Sequence, residues 1–310
     1  MSDNIKQEIS KIEIPKELSK RSKLGVAKAK AEIPTKKRNW IIGIALAASL
    51  LIAFGSYTVY KNSSQNNNTF SVTKDGGIQI PALILPKDTS AMSMIGLIVF
   101  NGKIYTQTAT EIDEERAKDL LGEKLGTTKS TIDEWSTQDA YAVEFASTVG
   151  ELDVYTVRGY SKDYRIITYS EQDGHSEIFE ALNGITVYSG QDIFEKLHLS
   201  GNIVHAQYRY FSDWDNSVEN YYPIKDKELL NSFIEALNET VPHPYERVEA
   251  ELGDFRNDEN YRELSLHLKD GTKVNLVVLK DGYIRYGYLD VYFKMENETF
   301  SKIWQLLYGE

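Results

Sequence analysis

Tyr261-Arg262-Glu263-Leu264-Ser265-Leu266-His267-Leu268-Lys269-Asp270-Gly271-Thr272-Lys273-Val274-Asn275-Leu276-Val277-Val278-Leu279-Lys280-Asp281-Gly282-Tyr283-Ile284-Arg285-Tyr286-Gly287-Tyr288 is the stretch from which the fold is read. Apolar and polar side chains alternate along it at period two, the pattern of strands with one buried face. Asp270-Gly271 and Asp281-Gly282 interrupt the alternation. Such dipeptides favour type I′ turns, which need positive φ at both central positions. Residues 263–288 therefore read as a three-stranded antiparallel meander.

The same signals recur upstream. Asn101-Gly102 joins candidate strands 97–101 and 103–107, and further strands are expected at 140–145, 153–158, 165–169, 184–188, 204–211 and 291–295. Four segments carry helical spacing instead. Ala117, Leu121 and Leu125 follow Asp113-Glu114-Glu115; Ile193, Phe194 and Leu197 follow Ser189-Gly190. Leu230, Phe233, Ile234 and Leu237 follow the N-cap candidate Asp226, and Phe300, Ile303, Trp304 and Leu307 follow Asn297. Short strands joined by tight turns, with helices at intervals, predict an α+β fold with antiparallel sheet rather than a parallel βαβ fold. The 20 tyrosines in 310 residues fit a half-buried pleated surface.

A short internal echo is present. Lys162-Asp163-Tyr164-Arg165-Ile166 resembles Lys280-Asp281-Gly282-Tyr283-Ile284-Arg285, and Ile193-Phe194-Glu195-Lys196-Leu197 resembles Thr299-Phe300-Ser301-Lys302-Ile303. Two related subdomains, 78–202 and 203–310, would produce it.

Charge divides the chain unevenly. Residues 1–39 hold eleven Lys and Arg against five acids, a net +6; the remainder holds 24 against 41, a net −17. Between the two lies 40–60, which has no charged side chain. About 20 apolar residues span a hydrocarbon core of roughly 30 Å as a helix, and Trp40, Tyr57 and Tyr60 match interfacial aromatics. The long preceding segment and the lack of an Ala-x-Ala site argue against a cleaved signal peptide. Lys36-Lys37-Arg38 abuts the run, so the expected topology is a single-pass protein in the cell membrane, with a cytoplasmic N-terminus and an extracytoplasmic C-terminal region. Polar residues 61–77 read as a linker. The absence of cysteine excludes disulfides and thiolate chemistry, and it fits the exported domains of many Gram-positive surface proteins.

Catalytic signatures are scarce. His175, His198, His205, His243 and His267 include no pair at zinc-helix spacing, and there is no nucleophile elbow, P-loop or dinucleotide fingerprint. Asp213-Trp214-Asp215-Asn216-Ser217-Val218-Glu219 begins like a calcium loop, but Val218 stands where the turn needs Gly and no Glu closes it. No enzyme activity, metal, cofactor or nucleic-acid partner is expected. Tyr208, Tyr210, Trp214, Tyr221 and Tyr222 form an aromatic cluster that is a candidate ligand surface for sugar or peptide.

The cytoplasmic segment is the most suggestive. Ile5, Ile9 and Ile12 recur at helical spacing up to Pro15, and a basic stretch with Leu18, Gly25 and Ala29 follows. Helices this short are marginal alone, so such a segment either rests on anionic lipid of the bilayer or folds onto a protein partner.

Ile12-Glu13-Ile14-Pro15-Lys16-Glu17-Leu18, then Gly25-Val26-Ala27-Lys28-Ala29-Lys30 and a basic stop before one apolar run, resembles the N-terminal segment of membrane-bound anti-sigma factors of Bacillus and relatives. The resemblance covers 40 to 60 residues. It implies that the tail sequesters an extracytoplasmic-function sigma factor, that an outer sensor domain controls its release, and that an intramembrane protease takes part. It would make Ile5, Ile9, Ile12, Ile14 and Leu18 the sigma-contacting residues. The lysozyme-sensing pattern is not matched by the outer region, and the His/Cys zinc pattern of another anti-sigma class is absent. The competing expectations are a membrane-anchored cell-surface binding module and a tethered hydrolase of envelope polymers.

Overall fold

The computed structural model describes residues 71–83, 95–133, 136, 138–296 and 298–309. The uncharged run, the cytoplasmic segment with its five candidate contact residues, and the cap candidate Asn297 lie outside the described residues. Among the described residues no helix is long and apolar enough to cross a membrane.

The described region is α+β, and all its strand pairings are antiparallel. It opens with a small sheet in which β1 (Ser71–Val72) and β2 (Ile78–Gln79) form a hairpin; β10 (Thr186–Val187) later pairs with β2. Next come β3 (Leu97–Phe100), β4 (Lys103–Gln107), β5 (Thr110–Ile112), the single helical turn α1 (Ala117–Leu120) and β6 (Leu121–Thr127). Then follow β7 (Asp153–Val157), β8 (Arg165–Tyr169) and β9 (Ser176–Glu180). Six of these strands form one sheet, in the order β3-β4-β9-β8-β7-β6.

After β10 the chain runs through α2 (Gln191–Phe194), β11 (Ile203–Tyr210), α3 (Phe211–Asp215), β12 (Tyr222–Pro223) and α4 (Lys227–Ala236). It continues with β13 (Val241–Pro244), α5 (Tyr245–Leu252), β14 (Tyr261–Leu268), β15 (Thr272–Leu279), β16 (Tyr283–Tyr286), β17 (Val291–Lys294) and α6 (Glu298–Tyr308). These strands form the larger sheet, β12-β11-β14-β15-β16-β17-β13, and β5 joins it by pairing with β15.

The meander β14–β15–β16 lies where the alternation placed it, with Asp270-Gly271 and Asp281-Gly282 at its turns. In these two turns only the glycine has positive φ, so neither is the expected type I′ turn; Asn101-Gly102, with positive φ at both positions, fits it. One connectivity occurs twice. In each large sheet a four-strand meander, β6–β9 or β14–β17, is preceded by a helix and has an earlier strand, β4 or β13, against its last strand. The echoed residues occupy matching places. Lys162–Ile166 and Lys280–Arg285 lead into the third strand of each meander, and the other pair falls on the helices that follow, from α2 onward and in α6.

Two segments differ from the expectation. Residues 140–145, expected as a strand, fall in a 3-10 helix (Gln138–Ala142) and a loop that covers the open edge of β3: Val99 N donates to the Ala146 carbonyl and Phe145 N to that of Val99, each at 2.8 Å. The helix expected across 117–125 stops after one turn, because Gly122 and Gly126 disfavour it and serve a strand instead. A Cβ on Gly122 would lie 2.2 Å from the Thr156 hydroxyl, so only glycine lets β6 approach β7 this closely.

The main core lies on one face of the larger sheet. Leu264, Leu266, Leu276 and Val278 pack there against Phe233 and Ile234 of α4, Ile193 and Phe194 of α2, and Ile303 and Leu307 of α6. Helix α2, which follows the first meander, thus packs into the core of the second sheet. A separate core of Ile98, Tyr105, Val154, Ile166 and Phe179 serves the six-stranded sheet.

Candidate functional site

The structure divides the five aromatic candidates among three environments. Tyr208 and Tyr210 alternate with Arg209 along β11 and so share one face, where the Tyr222 ring stacks at 5.4 Å from Tyr208 and stands edge-on at 5.4 Å from Tyr210. Arg262 fills this cluster: its guanidinium lies 3.9 Å from the Tyr210 ring centre, 5.5 Å from Trp304 and 5.6 Å from Tyr308. Its Nε donates to the Leu307 carbonyl at 2.8 Å and its Nη1 to that of Tyr261 at 2.7 Å, so it also caps the end of α6. The cage is therefore occupied by the protein's own cation. Trp214 packs elsewhere, on Phe211 and Tyr261. Tyr221 lies on the opposite face of the sheet, its ring under the Arg209 guanidinium.

That opposite face carries polar side chains in cross-strand rows. Register places Arg209, Glu263, Val277 and Arg285 side by side on β11, β14, β15 and β16. A second row, His205, His267, Lys273 and Glu111, crosses β11, β14, β15 and β5. Between the rows Gln207 bridges the two imidazoles, and the Ser265 hydroxyl donates to the Asn275 amide oxygen at 2.7 Å. Arg209 is ion-paired with Glu263. Glu111 holds Lys273 at 2.6 Å and accepts from Asn275 at 2.7 Å.

Burial pushes the Glu263 carboxyl above its usual range, and the Arg209 charge opposes this. His267 is held below the ordinary imidazole value by burial first, then by Lys273 and His205. Tyr288 flanks the face. It is 49 % exposed, yet its phenol is crowded enough that desolvation raises its pKa, with Arg285, Glu111, Glu263 and Glu177 the charges that act on it.

Beneath this face the two large sheets meet in a buried polar network. Arg165 of β8 is 0 % exposed and donates through Nε to Glu180 of β9 at 2.9 Å. Tyr164 donates to the same carboxylate at 2.9 Å, and Tyr286 of β16 donates to it at 2.8 Å. The Tyr286 hydroxyl also meets the hydroxyls of Thr108 at 2.6 Å and Thr110 at 2.7 Å. Arg165 stacks on Tyr160 at 4.3 Å, and its Nη1 is buried with no hydrogen-bond partner. Burial and the adjacent Glu180 charge hold the Tyr286 hydroxyl far above the phenol range, so it remains a donor.

The remaining sequence candidates are accounted for locally. In the acidic loop, Asp213 carries the turn through Val218 N and accepts from Asn220, while Asp258 caps α3 through Ser212 at 2.7 Å. Among the described residues no three His, Asp or Glu side chains gather to hold a metal ion. His198 adopts the left-handed conformation and stacks on Tyr160 at 4.7 Å, and His243 stands edge-on to Tyr283. A depression of about 310 Å³ lies beside α2 and α4, and one of about 390 Å³ beside β13. The polar rows were not visible in the sequence. Each is assembled from four strands, and only register brings its members together.

No family model matches the chain, and no curated protein or solved structure matches it either.

Proposed function

We propose that this chain is a single-pass membrane regulator that resembles an anti-sigma factor. Residues 1–39 sequester a sigma factor in the cytoplasm, 40–60 span the bilayer, and the α+β region outside senses a signal. The observation that carries the reading is the partition of charge: a net +6 tail and a net −17 remainder are separated by 21 residues without a charge. The isoleucine stripe of the tail, too short to fold alone, supplies a surface for a partner helix groove. An anchored sigma factor is kept from promoters, and severing the tether releases it.

The test is co-purification of the full chain with a sigma factor encoded in the same operon, alongside a promoter reporter. The wild-type chain is expected to retain the sigma factor and repress the reporter. Ile9→Asp combined with Ile12→Asp is expected to abolish both. A double variant that still represses as well as wild type would mean that the tail serves only as an anchor, as in a surface-binding module.

A further inference from the structure

Gln207 of β11 is bonded through its side chain to two imidazoles at once. His205 and His267 are register partners on β11 and β14, with ring centres 5.4 Å apart. The amide meets His205 Nε2 at 3.1 Å and His267 Nε2 at 3.3 Å. An amide has one oxygen, which accepts, and one NH2, which donates. Whichever way it is turned, the ring that faces the NH2 must accept through Nε2, and only a neutral imidazole does so. A proton on that ring sets donor against donor and ends the bridge.

The surroundings oppose that proton. Lys273 of β15 is the register partner of His267 and is held by Glu111 of β5 at 2.6 Å. Lys269 follows His267 at the strand end, with its ammonium on the Gly201 carbonyl at 2.7 Å, and Lys225 follows β12. Next along the face beyond Gln207 is the Arg209–Glu263 ion pair. The two carboxylates in this set are each already paired with a cation. Burial first, then Lys273 and His205, hold His267 below the ordinary imidazole value of 6.5, and Glu111 opposes them. Such a ring binds fewer protons folded than unfolded, so the folded state loses stability as pH falls below that value.

The bridge sits where the ladder is weakest. Register slips between Ile203 and His205, which leaves Val204 out of the pairing and 55 % exposed. On its outer side β11 is paired by β12 only at Gln207 and Tyr208. The start of β11 is therefore held by β14, where Ile203 lies opposite the buried core residue Leu268.

We propose that His205, Gln207 and His267 form a proton-operated latch, closed at neutral pH, whose release on acidification frees the start of β11 from β14. The latch belongs to the folded region and goes beyond the sigma-factor reading, since it works whether or not the tail has a partner.

The experiment uses the full chain in detergent. Isotope-labelled histidine gives the His267 titration by NMR, assigned through His267→Gln. Hydrogen–deuterium exchange, corrected for the intrinsic effect of pH, follows residues 203–207 at about pH 7 and about pH 5. In the wild-type chain His267 is expected to titrate below 6.5, and 203–207 to exchange several-fold faster at the lower pH. His267→Gln keeps an amide beside Gln207 and removes the titration, so the acid response is expected to vanish. Gln207→Glu puts a carboxylate between the rings. It is expected to move the His267 midpoint above 6.5 and to abolish the response as well. His243→Gln, on β13 at the far edge of the sheet, is expected to leave the response intact. A wild-type His267 midpoint at or above 6.5, or exchange of 203–207 that ignores pH, would overturn the proposal without any variant. So would a response that persists in His267→Gln and Gln207→Glu, or one that is lost in His243→Gln.

Discussion

Arg165 is the residue whose environment asks most of the chain. A guanidinium removed from water is costly, and here one carboxylate, three tyrosines and the Thr110 hydroxyl surround it. Tyr286→Phe removes a hydroxyl bonded to Glu180 and leaves the threonines short of a partner. It should cost about 2 kcal/mol in urea unfolding. Arg165→Met removes the buried ion-pair partner of Glu180 and should cost more, about 3–5 kcal/mol; equal costs would mean that the ion pair adds no more than the hydroxyl.

Glu177 offers a second prediction. It accepts from Gln107 Nε2, and burial raises its pKa above the ordinary value of 4.5. A raised carboxyl binds more protons folded than unfolded just above that value, so its contribution falls as pH rises through the window. Glu177→Gln keeps the acceptor and removes the titration. The variant should melt higher than wild type at about pH 7 and no higher at about pH 4. None of this is readable in the sequence Ser176–Glu180, which carries no strand signal. With Glu177 and Glu180 both drawn inward, β9 has no clean alternation of apolar and polar positions.

Elements governed by local chemistry were foreseen, and those governed by distant contacts were not. The positions of the three Asx-Gly turns, the strands 261–268 and 165–169, and α4 behind Asp226 need only their own residues. The Asp226 carboxylate accepts from Leu229 N at 2.9 Å, and Asp226→Ala should lower stability by about 1 kcal/mol, measured by denaturant midpoint. By contrast β13 contains Pro242 and Pro244, which argue against a strand until it is seen at the sheet edge against β17. Helix α5 leaves no apolar stripe in the sequence because much of its surface is solvated, with Val248 the residue it buries. Gly190 marks another distant constraint. A Cβ there would lie 1.9 Å from the Leu237 carbonyl, so Gly190→Ala should push α2 off the turn after α4 and cost about 3 kcal/mol. A circular-dichroism melt shows whether it does.

In the described region one connectivity of strand, helix, meander and helix occurs twice, and the two occurrences are interlocked. The fold class followed from the alternation of residues 261–288. Two short sequence echoes fall at matching places in the two occurrences. What no local pattern conveys is how the halves are joined, because that depends on β5 crossing into the other half's sheet and on α2 packing under it. The site is subject to the same limit: His205 and His267 were each placed on a strand, but their alignment with Lys273 and Glu111 is a property of pairing between strands far apart in the chain.

The pairing of β5 with β15 also dictates an order of assembly. Glu111 meets Asn275 across 164 positions, and Thr108 meets Tyr286 across 178. Closing loops of that length is paid for in chain entropy before any contact returns it, so maturation should be slow, in the range of ms to s typical of non-local sheets. A polypeptide still emerging from a ribosome or translocon cannot seat β5 until its last few dozen residues are free. Until then both the edge of β5 and the Thr108, Thr110 and Glu180 groups that await Tyr286 stay open to whatever chaperone or protease is nearby.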